Sequence, residues 1–267
     1  MIISFEGAAT DGLNEKGLAA HLLVLDESQL EAPDGRPVLP DTHWAQYVLD
    51  NFATVNEVVE AHRGGNFRVA AAWSTDLGYS KHLPTHLAVQ DTSGDSAIIE
   101  YVKGKLIIHH GPEYRVMTND PPYDEMVERV KQYAPFGGTK PLPGGESPED
   151  RFVRLANYSR SLPDPKNYSE AVAGALSLLR IAQVPFSDPA RAPNKDFWGA
   201  CQTNWVSAAD VTNGIYYVNS ATVPSLFWLE LKKANFKRGA PLLFLDPHDP
   251  QVGGDARRHL RPWKAPR

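Results

Sequence analysis

Apolar residues recur along this chain in two rhythms, and the changes of rhythm mark its elements. Residues 1–10 alternate as part of a strand, and Asp11-Gly12-Leu13-Asn14-Glu15-Lys16-Gly17-Leu18 carries a turn signal. Over 18–25, the unbroken apolar run Leu22-Leu23-Val24-Leu25 predicts a strand covered on both faces. Two helices follow, at 42–51 and from Thr54. Thr54-Val55-Asn56-Glu57 is a capping box, and Arg63-Gly64-Gly65 is a stop. Period-two alternation returns at 85–90, 96–101 and 105–109, with turns at 91–95 and at Lys103-Gly104. A further strand over 114–118 runs into Asn119 and a helix reaching about 133.

Beyond a loop rich in Pro and Gly (135–148), Ser147-Pro148-Glu149-Asp150 opens a helix. It has an N-cap Ser, Pro at the first position and acids in the first turn. That helix reaches 161, another spans 169–183, and strands are expected at 203–208, 214–219 and 226–231. The order βααββββααβββ with antiparallel hairpins is α+β. It gives one domain over 1–236, followed by a Pro-rich, partly ordered tail over 237–267.

Composition narrows the function classes. The 267 residues are 42% hydrophobic and 22% charged with a formal charge of −5, enough chain for one large core. Mild acidity without a basic stripe argues against nucleic acid as a partner. No apolar segment approaches the ~20 residues that cross a bilayer, and the first residues have no basic region or long apolar run of a signal peptide. A lone cysteine, Cys201, forms no intrachain disulfide and sits in a loop without a helix N-terminus or cation to activate it. His109 and His110, adjacent in a strand, point to opposite faces and make a poor metal pair. Neither a metal nor a cofactor is expected.

Two residues stand out. Asn119 ends a strand just before a helix, where its carboxamide N–H groups could face a developing oxyanion. Such donors are worth roughly 2.7–4 kcal/mol each. Asn119-Asp120-Pro121 is equally an ordinary strand-to-helix corner, with Asp120 as N-cap and Pro121 at the first helical position. Arg151 stands in the first turn of a helix, where the macrodipole disfavours a cation. It either holds an anion or simply pairs with Glu149 or Asp150.

Several segments together resemble the choloylglycine hydrolase family, which includes bile salt hydrolases and penicillin V acylases. They are Asp11 through Leu18, Ser93-Gly94-Asp95-Ser96-Ala97-Ile98-Ile99-Glu100-Tyr101, Val116-Met117-Thr118-Asn119, Asp150-Arg151-Phe152-Val153-Arg154, and Tyr216-Tyr217 through Phe227-Trp228. The resemblance covers about 1–236. It implies the αββα four-layer sandwich of the N-terminal-nucleophile hydrolases and hydrolysis of a linear amide through a cysteine acyl-enzyme. The small-molecule substrate would be an N-acyl amide. By the same resemblance, Asn119 matches an oxyanion-hole amide and Arg151 an active-site arginine. Val24 matches the residue that donates a backbone N–H to the hole, and Leu23 lies beside it in an apolar wall suited to an aromatic or fatty acyl group. Such relatives are often tetramers, so a homo-oligomer is allowed.

One departure matters. Relatives begin with the catalytic Cys and strands bearing an Arg and an Asp, whereas Met1 here aligns inside the later sheet and Cys201 matches no catalytic position. The fold is therefore expected to be incomplete at its N-terminus. Either the true start lies upstream, which would leave a periplasmic location open, or the chain is an inactive truncated relative, a remnant or at most a ligand-binding protein. The resemblance favours a penicillin V acylase-like hydrolase over that alternative.

Overall fold

The alternating residues at the start of the chain form two strands that pair with each other, not one. β1 (Ile2–Phe5) and β2 (Ala8–Leu13) run antiparallel, and Gly7, at φ 84°, makes the turn that a side chain would strain. The computed structural model describes residues 1–5, 7–71, 84–185 and 202–263, in two units spanning Met1–Ser161 and Leu162–Arg267.

In the first unit β3 (Ala19–Val24), the short β4 (Val38–Pro40) and β5 (Arg68–Ala70), β6 (Thr85–Gln90), β7 (Ser96–Val102) and β8 (Lys105–His110) follow. Among the described residues they build a six-stranded antiparallel sheet in the order β1-β2-β3-β6-β7-β8. One face of that sheet carries Ala20, Leu22, Leu87, Val89, Ala97 and Ile99. It packs on Trp44, Val48 and Leu49 of α1 (Trp44–Asn51) and on Val55, Val58 and Val59 of α2 (Val55–Arg63). Each buried Val, Leu or Ile among them contributes about 1.5–3 kcal/mol by leaving water. The capping box at Thr54 forms as expected: Glu57 N–H donates to Thr54 Oγ1 at 3.2 Å, and the Glu57 carboxylate accepts the Thr54 N–H at 3.3 Å. Gly12 is required because a Cβ there would stand 2.5 Å from the Met1 carbonyl and 2.6 Å from Leu49 of α1.

Period two means that the other face carries His21, Leu23, His86, Ala88, Ile98, Glu100 and His109. This corrects the expectation for 22–25, since Leu22 and Leu25 are buried while Leu23 and Val24 stay partly open. The expected strand at 114–118 does not form either. That segment is irregular, and α3 (Tyr123–Val130) begins after Pro122, so Asp120 and Pro121 lie ahead of the helix and not at its cap. The Asp120–Pro121 peptide is cis. α3 packs on α4 (Pro148–Ser161) through Met126, Val130, Phe152 and Val153, and α4 opens at the Pro expected for it.

In the second unit α5 (Tyr168–Arg180), capped by Asn167, packs on β9 (Trp205–Asp210). β9 pairs with β10 (Ile215–Ser220), which pairs with β11 (Leu226–Glu230). The segment 237–267 adds β12 (Leu243–Phe244), β13 (Gly254–Asp255) and β14 (Arg261–Pro262). β13 lies parallel to β11 and completes a four-stranded sheet, with Val252 and Ala256 buried beside it. Cys201 lies outside the described residues.

Two tests follow from this packing. Asn14 joins the β2–β3 turn to the end of α1. Its Nδ2 donates to Leu49 O (3.0 Å) and Phe52 O (2.8 Å), and its Oδ1 accepts the N–H groups of Lys16 and Leu18. Asn14→Asp sets a carboxylate against two carbonyls and should lower unfolding free energy by about 2–4 kcal/mol in urea melts. His62, buried in the core, accepts Trp44 Nε1–H at 2.9 Å, and burial pulls its pKa down to about 4. Its stabilising neutral form is fully present above the unfolded value of 6.5. Below that, the unfolded chain takes up a proton that the fold refuses, so stability falls as pH drops from 6.5 towards 4. The loss should reach about 3 kcal/mol, and His62→Gln should flatten that part of the pH–stability curve.

Candidate active site

The six residues from Val116 to Pro121 have no ladder of their own, so side chains must hold them. Thr118, 4% exposed, donates from Oγ1 to Pro148 O at 3.0 Å, which ties the segment to the first residue of α4. On the other side of Asn119, the Asp120 carboxylate accepts the Glu27 N–H at 3.2 Å. Asn119 therefore stands between two anchors, one on α4 and one on the turn after β3.

Its carboxamide has a defined orientation. Asn119 Nδ2 donates to Val24 O at 2.9 Å, and Asn119 Oδ1 accepts from Arg151 Nη2 at 2.8 Å. A carbonyl can only accept and a guanidinium can only donate, so the neighbours themselves fix which end is which. Arg151 also donates from Nε to Glu146 O at 3.1 Å. Of the two readings of Arg151, pairing with an adjacent acid is not the one seen: its partners are an amide and a carbonyl. Burial pulls its pKa down, with Arg154 adding to the effect and Glu149 opposing it. A guanidinium with so high an intrinsic pKa stays charged at neutral pH. Its charge polarises the Asn119 amide and strengthens the amide's N–H donors.

The strand register explains how Asn119 reaches Val24. Leu25 N–H bonds Pro84 O on the β6 side at 2.9 Å, so Val24, one residue earlier, turns its backbone groups the other way. There β2 pairs with β3 only over Ala19–His21, and the edge beyond is left for Asn119. Val24 N–H and the second Nδ2–H of Asn119, which takes no further partner among the described residues, are thus brought to the same edge. Leu23, partly exposed, sits opposite His86 on β6. All four residues singled out in the sequence belong to the first unit. Three of them, Val24, Asn119 and Arg151, form one hydrogen-bonded chain.

Sequence reasoning missed a buried group at the end of the same loop. Glu100, 1% exposed, accepts His86 Nδ1 at 2.8 Å and the Tyr123 N–H through both oxygens at 3.1 and 3.2 Å. His109 lies 3.9 Å from it and stacks on Tyr123 with ring centres 4.7 Å apart, while His110 turns away to Asp95 at 2.8 Å. The available signal was a carboxylate in the middle of the apolar run Ala97-Ile98-Ile99-Glu100-Tyr101, because buried acids occur almost only when paired. Tyr123, whose hydroxyl burial and Tyr114 push up to about 12, meets Phe152 edge-on at 5.9 Å, one residue from Arg151. Among the described residues no cluster of His, Cys, Asp and Glu could hold a metal, and no helix is long and apolar enough to cross a membrane. A cavity of about 410 Å³ in the second unit, lined by Arg180, Thr203, Asn219 and Ser220, involves none of these residues.

The fold is that of the N-terminal-nucleophile hydrolases. Aligned with the structure of penicillin V acylase from Agrobacterium tumefaciens, 98% of this chain matches 80% of that one at a TM-score of 0.85 and 36% identity. The chain belongs to the choloylglycine hydrolase family of linear amide C–N hydrolases, whose pattern it matches over residues 1–252. It is 37% identical to the penicillin V acylase of Pectobacterium atrosepticum, over 96% of this chain and 71% of that protein. It is also 26% identical to the bile salt hydrolase/transferase of Clostridium perfringens, over 84% and 73%.

Thr118→Val keeps the shape but removes the loop's hydrogen bond to the Pro148 carbonyl, which keeps only its helical partner within α4. We expect a loss of about 1–2 kcal/mol in urea melts. The anchor of Asn119 should loosen with it, seen as faster hydrogen exchange at residues 117–119.

Proposed function

We propose that this chain carries the oxyanion-binding half of a penicillin V acylase-like enzyme that cleaves N-acyl amides through a cysteine acyl-enzyme. The observation that carries this reading is the Asn119 carboxamide, fixed by Arg151 with its donors on the open edge at Val24. On attack by a thiolate, the carbonyl oxygen of the substrate becomes an oxyanion. It accepts the second Nδ2–H of Asn119 and the Val24 N–H, while Arg151 keeps the amide polarised. Collapse of the tetrahedral adduct expels the amine and leaves a thioester, which water then hydrolyses. The α-amino group of an N-terminal cysteine, with a pKa near 7.7–8.0, can move the protons. The attacking thiolate, on this reading, belongs to a segment ahead of Met1 in a longer chain. Its α-amine becomes free on maturation. The greater length of the two acylase relatives supports that view.

The names of those relatives, with Leu23 partly open beside Val24, favour an aromatic acyl group such as that of penicillin V. An inactive ligand-binding role is the second reading, because the 267 residues offer only Cys201 as a thiol.

Reading the upstream DNA for an in-frame Cys, then assaying the longer chain with penicillin V, an acyl-homoserine lactone and a conjugated bile salt, tests both. Release of the penicillin nucleus by the longer chain and not by the 267-residue chain is the expected result. Binding without turnover by both would favour the second reading, and turnover by the shorter chain would refute the need for an upstream thiol. In the active form, Asn119→Ala should lower kcat by about 10²–10³-fold with KM changed only a few-fold.

A further inference from the structure

We propose that Glu100 is the positioning residue of this site. It sets the Asn119 carboxamide through the backbone that runs from Asn119 to Tyr123. The backbone between Pro112 and Tyr123 crosses from β8 to α3 with no ladder to hold it, and the first N–H of α3 needs an acceptor. No residue ahead of the helix supplies one, because the N-cap is Pro122 and its side chain makes no cap. The acceptor comes from another element: the carboxylate of Glu100, on β7, takes the Tyr123 N–H with both oxygens. His86 on β6 holds the same carboxylate by its Nδ1. The Glu100 side chain can therefore shift only if β6, β7 and α3 shift together.

Asn119 lies four residues before Tyr123, on the same stretch. Thr118 ties the stretch to Pro148 on one side of Asn119; on the other, Asp120 ties it to Glu27 and Glu100 holds the Tyr123 N–H. The Tyr123 ring extends the constraint to Phe152, the neighbour of Arg151, so both partners of the amide–guanidinium bond refer to the same carboxylate. A burial role alone would be served better by an apolar residue, since a buried acid has to be paired at every oxygen to be tolerated. The pairing here runs directly to the segment that bears Asn119. His86 Nε2 and His109 Nε2 are buried without a hydrogen-bond partner among the described residues, His109 standing 3.9 Å from the carboxylates of Glu100 and Asp124, so the cluster is not a fully satisfied structural network.

The inference rests on the proposed role of Asn119 for its importance to catalysis, but its test needs no turnover. In ¹⁵N-labelled full-length chain, the Asn119 side-chain amide pair is identified by its loss in Asn119→Asp. Held between Val24 O and Arg151, its two protons should be well separated and exchange slowly. Glu100→Gln and the shorter Glu100→Asp should bring the two shifts together and speed their exchange about tenfold or more, the loss expected for a hydrogen bond to a charged group. Val59→Ala, in the core on the opposite face of the sheet, lowers stability without touching Glu100 and should leave the pair unchanged. An Asn119 pair unmoved in both folded Glu100 variants would overturn the proposal. So would equal perturbation by Val59→Ala, which would reduce Glu100 to a stability residue. If one Glu100 variant fails to fold, the other carries the comparison. The penicillin V assay judges the functional reading separately, so either can fail alone.

Discussion

A side chain with a donor end and an acceptor end can lie between a carbonyl and a guanidinium in one way only, and Asn119 does. Val24 O accepts from its nitrogen and Arg151 donates to its oxygen. Those two contacts determine where the amide's remaining N–H points. Everything else in the first unit bears on keeping its three members in register. β3 must end its pairing with β2 at His21 so that Val24 has a free edge, and α4 must start at Pro148 so that Arg151 stands one turn in. The segment between must be fixed without help from a sheet. The two units contribute unequally to this arrangement, since all of its named residues precede Ser161.

How much of this the sequence disclosed depends on how local the cause was. The helix at Thr54, the helix at Pro148 and the hairpin at Lys103-Gly104 follow from cap and turn chemistry within a few residues, and they form where expected. The irregular stretch at 114–118 did not follow. Val116 and Met117 have strand-like propensity but pair with no strand among the described residues, and propensity without a partner does not make a strand. The strand expected over 1–10 fused two strands, because the turn at Gly7 is short, and Asp11–Leu13, expected within a turn, extend β2. The late strand β13 was missed because two residues of Gly and Asp carry no hydrophobic period at all.

Asn119 and Arg151 were readable for different reasons. Arg151 breaks a local rule, as a cation where the helix dipole repels it, whereas Asn119 sits at an ordinary corner and stood out through the family resemblance. Broken local rules are where function usually sits. Glu100 breaks one too, as an acid within an apolar strand. Its partners, however, lie fourteen and twenty-three residues away, and no spacing rule links a β-strand carboxylate to the first N–H of a later helix. Long-range hydrogen bonds of this kind become legible only once the register of β6, β7 and β8 is known.

On the proposed function, the arrangement also explains why a cation helps at a site that would hold an oxyanion. Among the described residues Arg151 has no acid as its hydrogen-bond partner, and burial weakens its hold on its proton without removing the charge at neutral pH. An acid at that place would cancel the field that a developing oxyanion needs. An amide relays it instead: Asn119 takes the guanidinium's hydrogen bond on its oxygen and presents the induced polarity on its nitrogen. The transmitted effect depends on the amide staying in plane with both neighbours. That geometric demand, more than the identity of either residue, accounts for the number of hydrogen bonds that surround a six-residue loop.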